Sequence, residues 1–294
     1  MSVELSNKLI PIIILVVIVV MVFMGLIILR NTFHIYKVKS AQVVKHVTDI
    51  PADAWTRLNK SVVFFGHKSV GNNIIDGIYD LIDSHSYINL RIYETKAVDQ
   101  ITGAMFIHAP VGRNMEPESK ILEFKKIMEG GFGEKVDVAF FKFCYADIVS
   151  YSNPDVILDA YCKTMETLRG RFPNVIFVHV TVPLCAPPKT TKDIFKLNIK
   201  RVFGRSTVLD DNFIRAQYNE LLRERFSGKE PIFDIAEYEA LGPDGLRYYC
   251  LCKGHEVPVL VKSYTNDGGH LNIFGRRYVA EQLLIKMLEL VSSE

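Results

Sequence analysis

Hydrophobic positions along the chain fall into three patterns. The first is an unbroken run from Leu9 to Leu29 that carries no charged side chain. About 20 apolar helical residues cross the hydrocarbon core of a bilayer. A cleaved secretory signal has a shorter apolar core and a small-residue cleavage site, whereas this run leads into Arg30, Asn31, Thr32 and Phe33. A buried soluble helix is rarely apolar on every face for such a length. The expectation is a retained single-pass membrane anchor over residues 1–30.

The second pattern is a set of short apolar runs bounded by polar residues, at Ser61 to Phe65, Asn89 to Tyr93, Val136 to Phe143, Asn174 to Val182 and Pro231 to Ile235. Near-continuous runs of this length suit strands buried in a parallel sheet. The third is helical spacing between them. Ile74, Ile75, Ile78, Leu81 and Ile82 mark one helix; Ile157, Leu158, Tyr161, Met165 and Leu168 mark another, opened by Asn153 as a cap and Pro154 in the first turn. Two more are expected over about Asp210 to Phe226 and Asn272 to Val291, and the Gly130, Gly131, Phe132, Gly133 stretch reads as a helix stop and a turn. Strands alternating with helices predict an α/β fold, a parallel sheet covered on both faces, with ligands at the carboxyl ends of its strands. The domain is expected over 59–294, joined to the anchor by a stalk, 31–58.

Composition narrows the partners. A formal net charge of +2 gives no reason to invoke nucleic acid, which calls for Lys and Arg clustered on one face. The best basic cluster, Lys189, Lys192, Lys196, Lys200, Arg201 and Arg205, steps by four and would align on one helix face. Its simplest reading is a solvated face, with an anionic polymer or lipid headgroups as the alternative. The five cysteines, Cys144, Cys162, Cys185, Cys250 and Cys252, are odd in number and not spaced like zinc knuckles. Cys250 and Cys252 lie too close for a disulfide with each other, and a metal there would need ligands beyond His255. No cofactor or metal is expected.

Chemistry is sought just after each strand. The first strand ends Phe65, Gly66, His67, Lys68, Ser69, Val70, Gly71. A serine on a glycine-flanked turn between strand and helix exposes its hydroxyl, and its own N–H points into the site. Ser69 is thus a candidate nucleophile, with an ordinary N-cap serine as the plain alternative. The phosphate-loop spacing and the full dinucleotide fingerprint are both absent. Near the C-terminus the chain reads Thr265, Asn266, Asp267, Gly268, Gly269, His270, Leu271, Asn272. A serine is a poor nucleophile until a base takes its proton, and the base works best with a carboxylate holding its tautomer. Asp267 and His270, three apart in one loop, would supply both.

With these residues the chain resembles the SGNH (GDSL-like) hydrolases, whose last motif has the form Asp-x-x-His and whose nucleophile follows the first strand. The resemblance covers roughly Ser61 to Leu290. It implies a flavodoxin-like three-layer fold, a catalytic triad of Ser69, His270 and Asp267, and hydrolysis or transfer of ester-linked acyl groups, often acetyl groups on carbohydrate. The α/β-hydrolases share the order serine, aspartate, histidine, but they use a Gly-x-Ser-x-Gly elbow where this chain has Gly66-x-x-Ser69-x-Gly71.

Two motifs depart from the family. Gly66-His67-Lys68-Ser69 stands where Gly-Asp-Ser is usual, so the serine is one position late and the aspartate is replaced. The asparagine expected after the third strand is missing from Lys142, Phe143, Cys144, Tyr145, Ala146, Asp147. For the oxyanion hole the resemblance implies the Ser69 N–H, the Gly112 N–H with Gly103 in reserve, and Asn114 replacing the absent asparagine. Asp147 is assigned a structural role. Cys144 reads as buried packing. His67 and His108 are expected to line the pocket, metal ligation being the weaker idea without close-set carboxylates or cysteines.

The expectation is a membrane-tethered serine esterase or acyltransferase on an acylated carbohydrate. Its rival is a noncatalytic domain of the same fold that binds glycan or a membrane partner. The resemblance places the domain outside the cytoplasm, while Arg30, Lys37, Lys39 and Lys45 after the run argue for the inside.

Overall fold

The computed structural model describes residues 11–21, 35–40 and 44–291. Its contacts divide the chain into two compact units, one of Ile35–Pro187 with Val208–Glu294, the other of Met1–His34 with Pro188–Thr207.

The larger unit is built on a parallel sheet. Strands β2 (Val62–His67), β3 (Ile92–Glu94), β4 (Met105–Pro110), β5 (Val138–Phe141) and β6 (Ile176–Phe177) lie in the order β3-β4-β2-β5-β6. Past Val178 the same stretch of chain changes partner, and β7 (His179–Val180) pairs in parallel with β8 (Ile232–Phe233). In register, Val63 of β2 faces Phe106 of β4 on one side and Val138 of β5 on the other.

Side chains alternate across this sheet, and each face is covered. Val63 and Phe65 join one core with Ile74 and Ile78 of α3 (Val70–Ser84) and Val279 and Leu283 of α9 (Ile273–Val291). Phe64 joins the other core with Phe124 of α4 (Pro117–Glu129), Leu168 of α5 (Pro154–Arg171) and Leu222 of α7 (Val208–Phe226). Full burial of each such side chain contributes about 1.5–3 kcal/mol. Helices α3 and α9 approach very closely, because a Cβ on Gly77 would fall 2.3 Å from the Arg276 carbonyl oxygen. Asn153 caps α5 as expected, its side chain accepting from the Asp155 and Val156 N–H groups.

Two expectations are corrected here. The strand β4, with His108 and Pro110 interrupting its apolar run, joins the five expected ones and is one of the two neighbours of the strand that leads into Ser69. Residues assigned to the stalk belong in part to the folded unit. Val47, Trp55 and Leu58 are buried in the first core. β1 (Ile35–Lys39) pairs antiparallel with β9 (Leu246–Cys252), which turns back through Lys253 and Gly254 into β10 (His255–Pro258). Trp55 and Leu58 sit in a helix of a single turn, Trp55–Leu58, too short for a periodic signal.

In the smaller unit, residues 11–21 form a helix, α1, whose side chains are exposed throughout. The rest of the run from Leu9 to Leu29 lies outside the described residues, apart from this helix. Among the described residues no helix is long and apolar enough to cross a membrane. Of the basic cluster, Lys192, Lys196, Lys200 and Arg201 lie on a helix, α6 (Thr191–Val202), while Lys189 and Arg205 flank it.

Candidate active site

The site forms at the carboxyl end of β2. Two residues separate His67, the last of the strand, from Val70, the first of α3. To turn that sharply, Ser69 adopts φ 55° and ψ −112°. A non-glycine residue held at positive φ stores about 1–3 kcal/mol of strain. The turn brings α3 so close that a Cβ on Gly71 would lie 2.3 Å from that of His67. From beneath, buried Lys142 donates to the Lys68 carbonyl at 2.9 Å and the Phe143 carbonyl at 3.3 Å. Burial pushes the Lys142 ammonium down to about 8, with Lys120 adding to the effect and Cys144, Asp147 and Glu239 opposing it. Among the described residues the Ser69 N–H has no hydrogen-bond partner.

The C-terminal loop delivers the other groups. Ser69 Oγ and His270 Nε2 are 2.8 Å apart, and His270 Nδ1 and Asp267 Oδ2 are 2.7 Å apart. With the imidazole proton on Nδ1 facing the carboxylate, Nε2 is left to accept from the serine. The other carboxylate oxygen, Oδ1, accepts from the N–H groups of Gly269 and His270. Burial works to raise the Asp267 carboxyl, but the Gly269 N–H and both His270 donors outweigh it and hold it well below the usual carboxylate range. The pair remains open to solvent, the His270 side chain 44% and that of Asp267 57% exposed. Asn73 of α3 accepts from the Leu271 N–H, and Gly268 accepts from the Ala186 N–H, tying the loop down at both sides.

The opposite wall differs from expectation. Gly112, with φ +62°, already donates its N–H to Glu123 Oε2 at 2.6 Å. Burial opposes the charge on Glu123, yet Lys96 and the Gly112 N–H keep its carboxyl below the usual range. An oxyanion would compete with that ionised carboxylate for the same donor, so Gly112 is not an available oxyanion donor in this arrangement. Gly103, at φ +116°, has open space around it. Asn114 fits better. It lines the cleft, and its Oδ1 accepts from Lys120 Nζ at 3.0 Å. A lysine can only donate, so the NH2 end of the amide is the end left for a ligand.

Lys120 is itself buried and ion-paired with Asp147. Asp147 also accepts from the Met115 N–H at 2.8 Å and the Cys144 N–H at 2.6 Å. It thus holds two loops together, the structural part expected of it. Cys144 is buried, as expected.

Ser69 and His270 open into a cleft of about 910 Å³. Tyr79, Tyr93, Asp76, Glu94, Asn72 and His108 line it. His67 lies behind, its Nε2 3.1 Å from His108 Nδ1. Burial, reinforced by His108 and Lys142, holds His67 down to about 2, and burial also lowers His108, against the pull of Glu94. Tyr145 packs edge-on against the His270 ring at 5.7 Å and interacts with the Ser69 side chain. Burial pushes its phenol up to about 12. Sequence reasoning passed over Tyr145, Lys120, Glu123 and Lys142 as contributors. Tyr145 occupies the segment where an asparagine was sought, which is the one signal that pointed to it.

No family model and no curated protein matches the chain. The solved structures it resembles include a lipolytic protein of the G-D-S-L family from Desulfitobacterium hafniense, at 9% identity, 78% of this chain, 99% of that one and TM-score 0.43. An acetyl esterase bound to acetate is 12% identical over 79% of this chain and 98% of its own, with TM-score 0.42. The periplasmic domain of a lipopolysaccharide acetyltransferase from Salmonella ser. Paratyphi A is 12% identical over 78% and 84%, with TM-score 0.39. Likeness of this degree carries no inference about activity, which has to be read from the site itself.

Proposed function

We propose that the chain is a serine esterase or acyltransferase in which Ser69, His270 and Asp267 act as a catalytic triad. The observation that carries this reading is the continuous line from Ser69 Oγ to His270 Nε2 and from Nδ1 to Asp267. His270 takes the Ser69 proton as Oγ attacks the ester carbonyl. The tetrahedral oxyanion is met by the Ser69 N–H and the Asn114 amide, replacing the expected Gly112. As the C–O bond breaks, His270 returns the proton to the leaving alkoxide. Water or a sugar hydroxyl then repeats the sequence on the acyl-enzyme, giving up its proton to His270 and releasing Ser69.

The substrate class proposed is a short acyl ester, such as acetyl, on a carbohydrate. Exposed Tyr79 and Tyr93 offer ring faces to the C–H faces of a sugar, and Asn72, Asp76 and Glu94 offer partners to its hydroxyls. Membrane tethering through residues 9–29, with the domain outside the cytoplasm, belongs to the same proposal. The uniformly exposed apolar side chains of residues 11–21 support the tether.

The test is labelling by a fluorophosphonate probe together with hydrolysis of acetylated sugars. Wild type is expected to react, while Ser69→Ala and His270→Ala are not; equal labelling of all three would remove the assignment. One observation favours a second reading, a noncatalytic glycan-binding module: the Gly112 amide is already committed to Glu123. Glycan binding retained in Ser69→Ala, with no ester hydrolysed by wild type, would select it.

A further inference from the structure

Helix α6 presents two adjacent stripes of opposite character to solvent. Lys192, Lys196 and Lys200 recur every fourth residue, and all three are exposed. Beside them run Phe195, Ile199, Val202 and Phe203, exposed by 39%, 37%, 60% and 75%. At 100° per residue these two rows share one side of the helix, while Leu197 and Asn198 on the opposite side are buried. A soluble helix normally turns its large apolar residues inward. Here the inward side is already occupied, and the outward side carries two phenylalanines.

Charge is concentrated in the same place. Between Lys189 and Arg205 stand six basic residues against the single Asp193, in a chain whose formal net charge is only +2. Asp193 is engaged at the start of the helix, accepting from the Thr190 hydroxyl and N–H. An apolar stripe next to lysines is the signature of a helix lying in the headgroup plane of a bilayer, apolar side chains down and lysine stems snorkelling to the phosphates. The helix falls in the same compact unit as the N-terminal hydrophobic segment.

We infer that α6 is a membrane-surface element that docks on an anionic lipid bilayer through Phe195, Ile199, Val202 and Phe203, with Lys192, Lys196 and Lys200 selecting for negative headgroups. The inference rests on this helix alone and not on the hydrolytic reading. Each lysine near an anionic surface is expected to add roughly five-fold in partitioning, about a hundred-fold for the three.

The test uses the full chain in nanodiscs of phosphatidylcholine and in nanodiscs of phosphatidylcholine mixed with phosphatidylglycerol, with amide hydrogen exchange followed over residues 191–203. Slower exchange by about ten-fold in the anionic discs is expected, and high salt should abolish the difference because it screens surface charge. The Lys192→Glu, Lys196→Glu, Lys200→Glu triple variant should exchange alike in both discs. Equal exchange of the wild-type chain in the two compositions overturns the proposal. So does protection that appears in detergent without lipid and grows with protein concentration, which would assign the face to a second copy of the chain. Because the decisive comparison uses the unaltered protein, misfolding of a variant leaves it standing.

Discussion

The two walls of the cleft are built in opposite ways. The C-terminal wall is local: Asp267 orients His270 through contacts that span no more than three residues, and both side chains are open to solvent. The wall after β4 is held from a distance. Asn114 depends on Lys120, and Lys120 depends on Asp147, 27 residues further on and fully buried. The first wall therefore has its chemistry written in a short motif, and its loss should cost activity with little stability. In the second, orientation and folding share the same side chains, so its loss should cost both.

The sharpest way to break this contrast is at the local wall. His270→Ala is expected to lower kcat by on the order of 10⁴-fold or more, with a melting temperature close to that of wild type. A large fall in melting temperature would show that the loop is structural after all. Next in size, Lys120→Met leaves the Asp147 carboxylate buried without its counterion, which costs about 3–5 kcal/mol. Denaturant unfolding should register this loss, and adding Asp147→Asn should recover part of it. Asn114→Ala is expected to reduce kcat by roughly 10²- to 10³-fold, the effect of removing one oxyanion donor, and, by taking a hydrogen bond from buried Lys120, to lower the unfolding free energy by about 1–3 kcal/mol. If Glu123→Ala, which removes the acceptor of the Gly112 N–H, raised kcat, the freed Gly112 amide would be the better oxyanion donor.

The smallest expected effect concerns Lys142, which supports the turn that carries Ser69. Its pKa is lowered to about 8 from an ordinary 10.5. Between these values the unfolded chain binds a proton that the folded chain has released. Stability from this group therefore rises with pH across that window and is lowest below pH 8, where a charged lysine is held in the core. Unfolding free energies measured from pH 8 to 10 should show the rise in wild type and lose it in Lys142→Met.

Legibility followed the same division. Asp267, His270 and Ser69 were recognisable because each helper lies within a few residues or at a strand-to-helix junction. The core strands and four long helices were visible from periodicity. β4 was not, since His108 and Pro110 break its apolar run, and the short helix with Trp55 offered too little length. Gly112 was chosen by its loop position; nothing near it in sequence announces that Glu123 takes its N–H. Lys120 and Lys142 look like surface lysines in sequence, and only the fold shows them buried.

The left-handed backbone at Ser69 also limits which side chains natural variation can try there. At φ 55° a β-branched residue is a genuine outlier, so threonine, although it carries a hydroxyl, is closed to this turn. Cysteine, unbranched at Cβ, remains open to it. Glycine would relieve the strain and remove the hydroxyl that His270 engages in one step. A lineage drifting towards greater thermal resilience at this position would lose the hydroxyl on which the proposed triad depends, and the reverse path from glycine to serine carries a cost in stability from its first step.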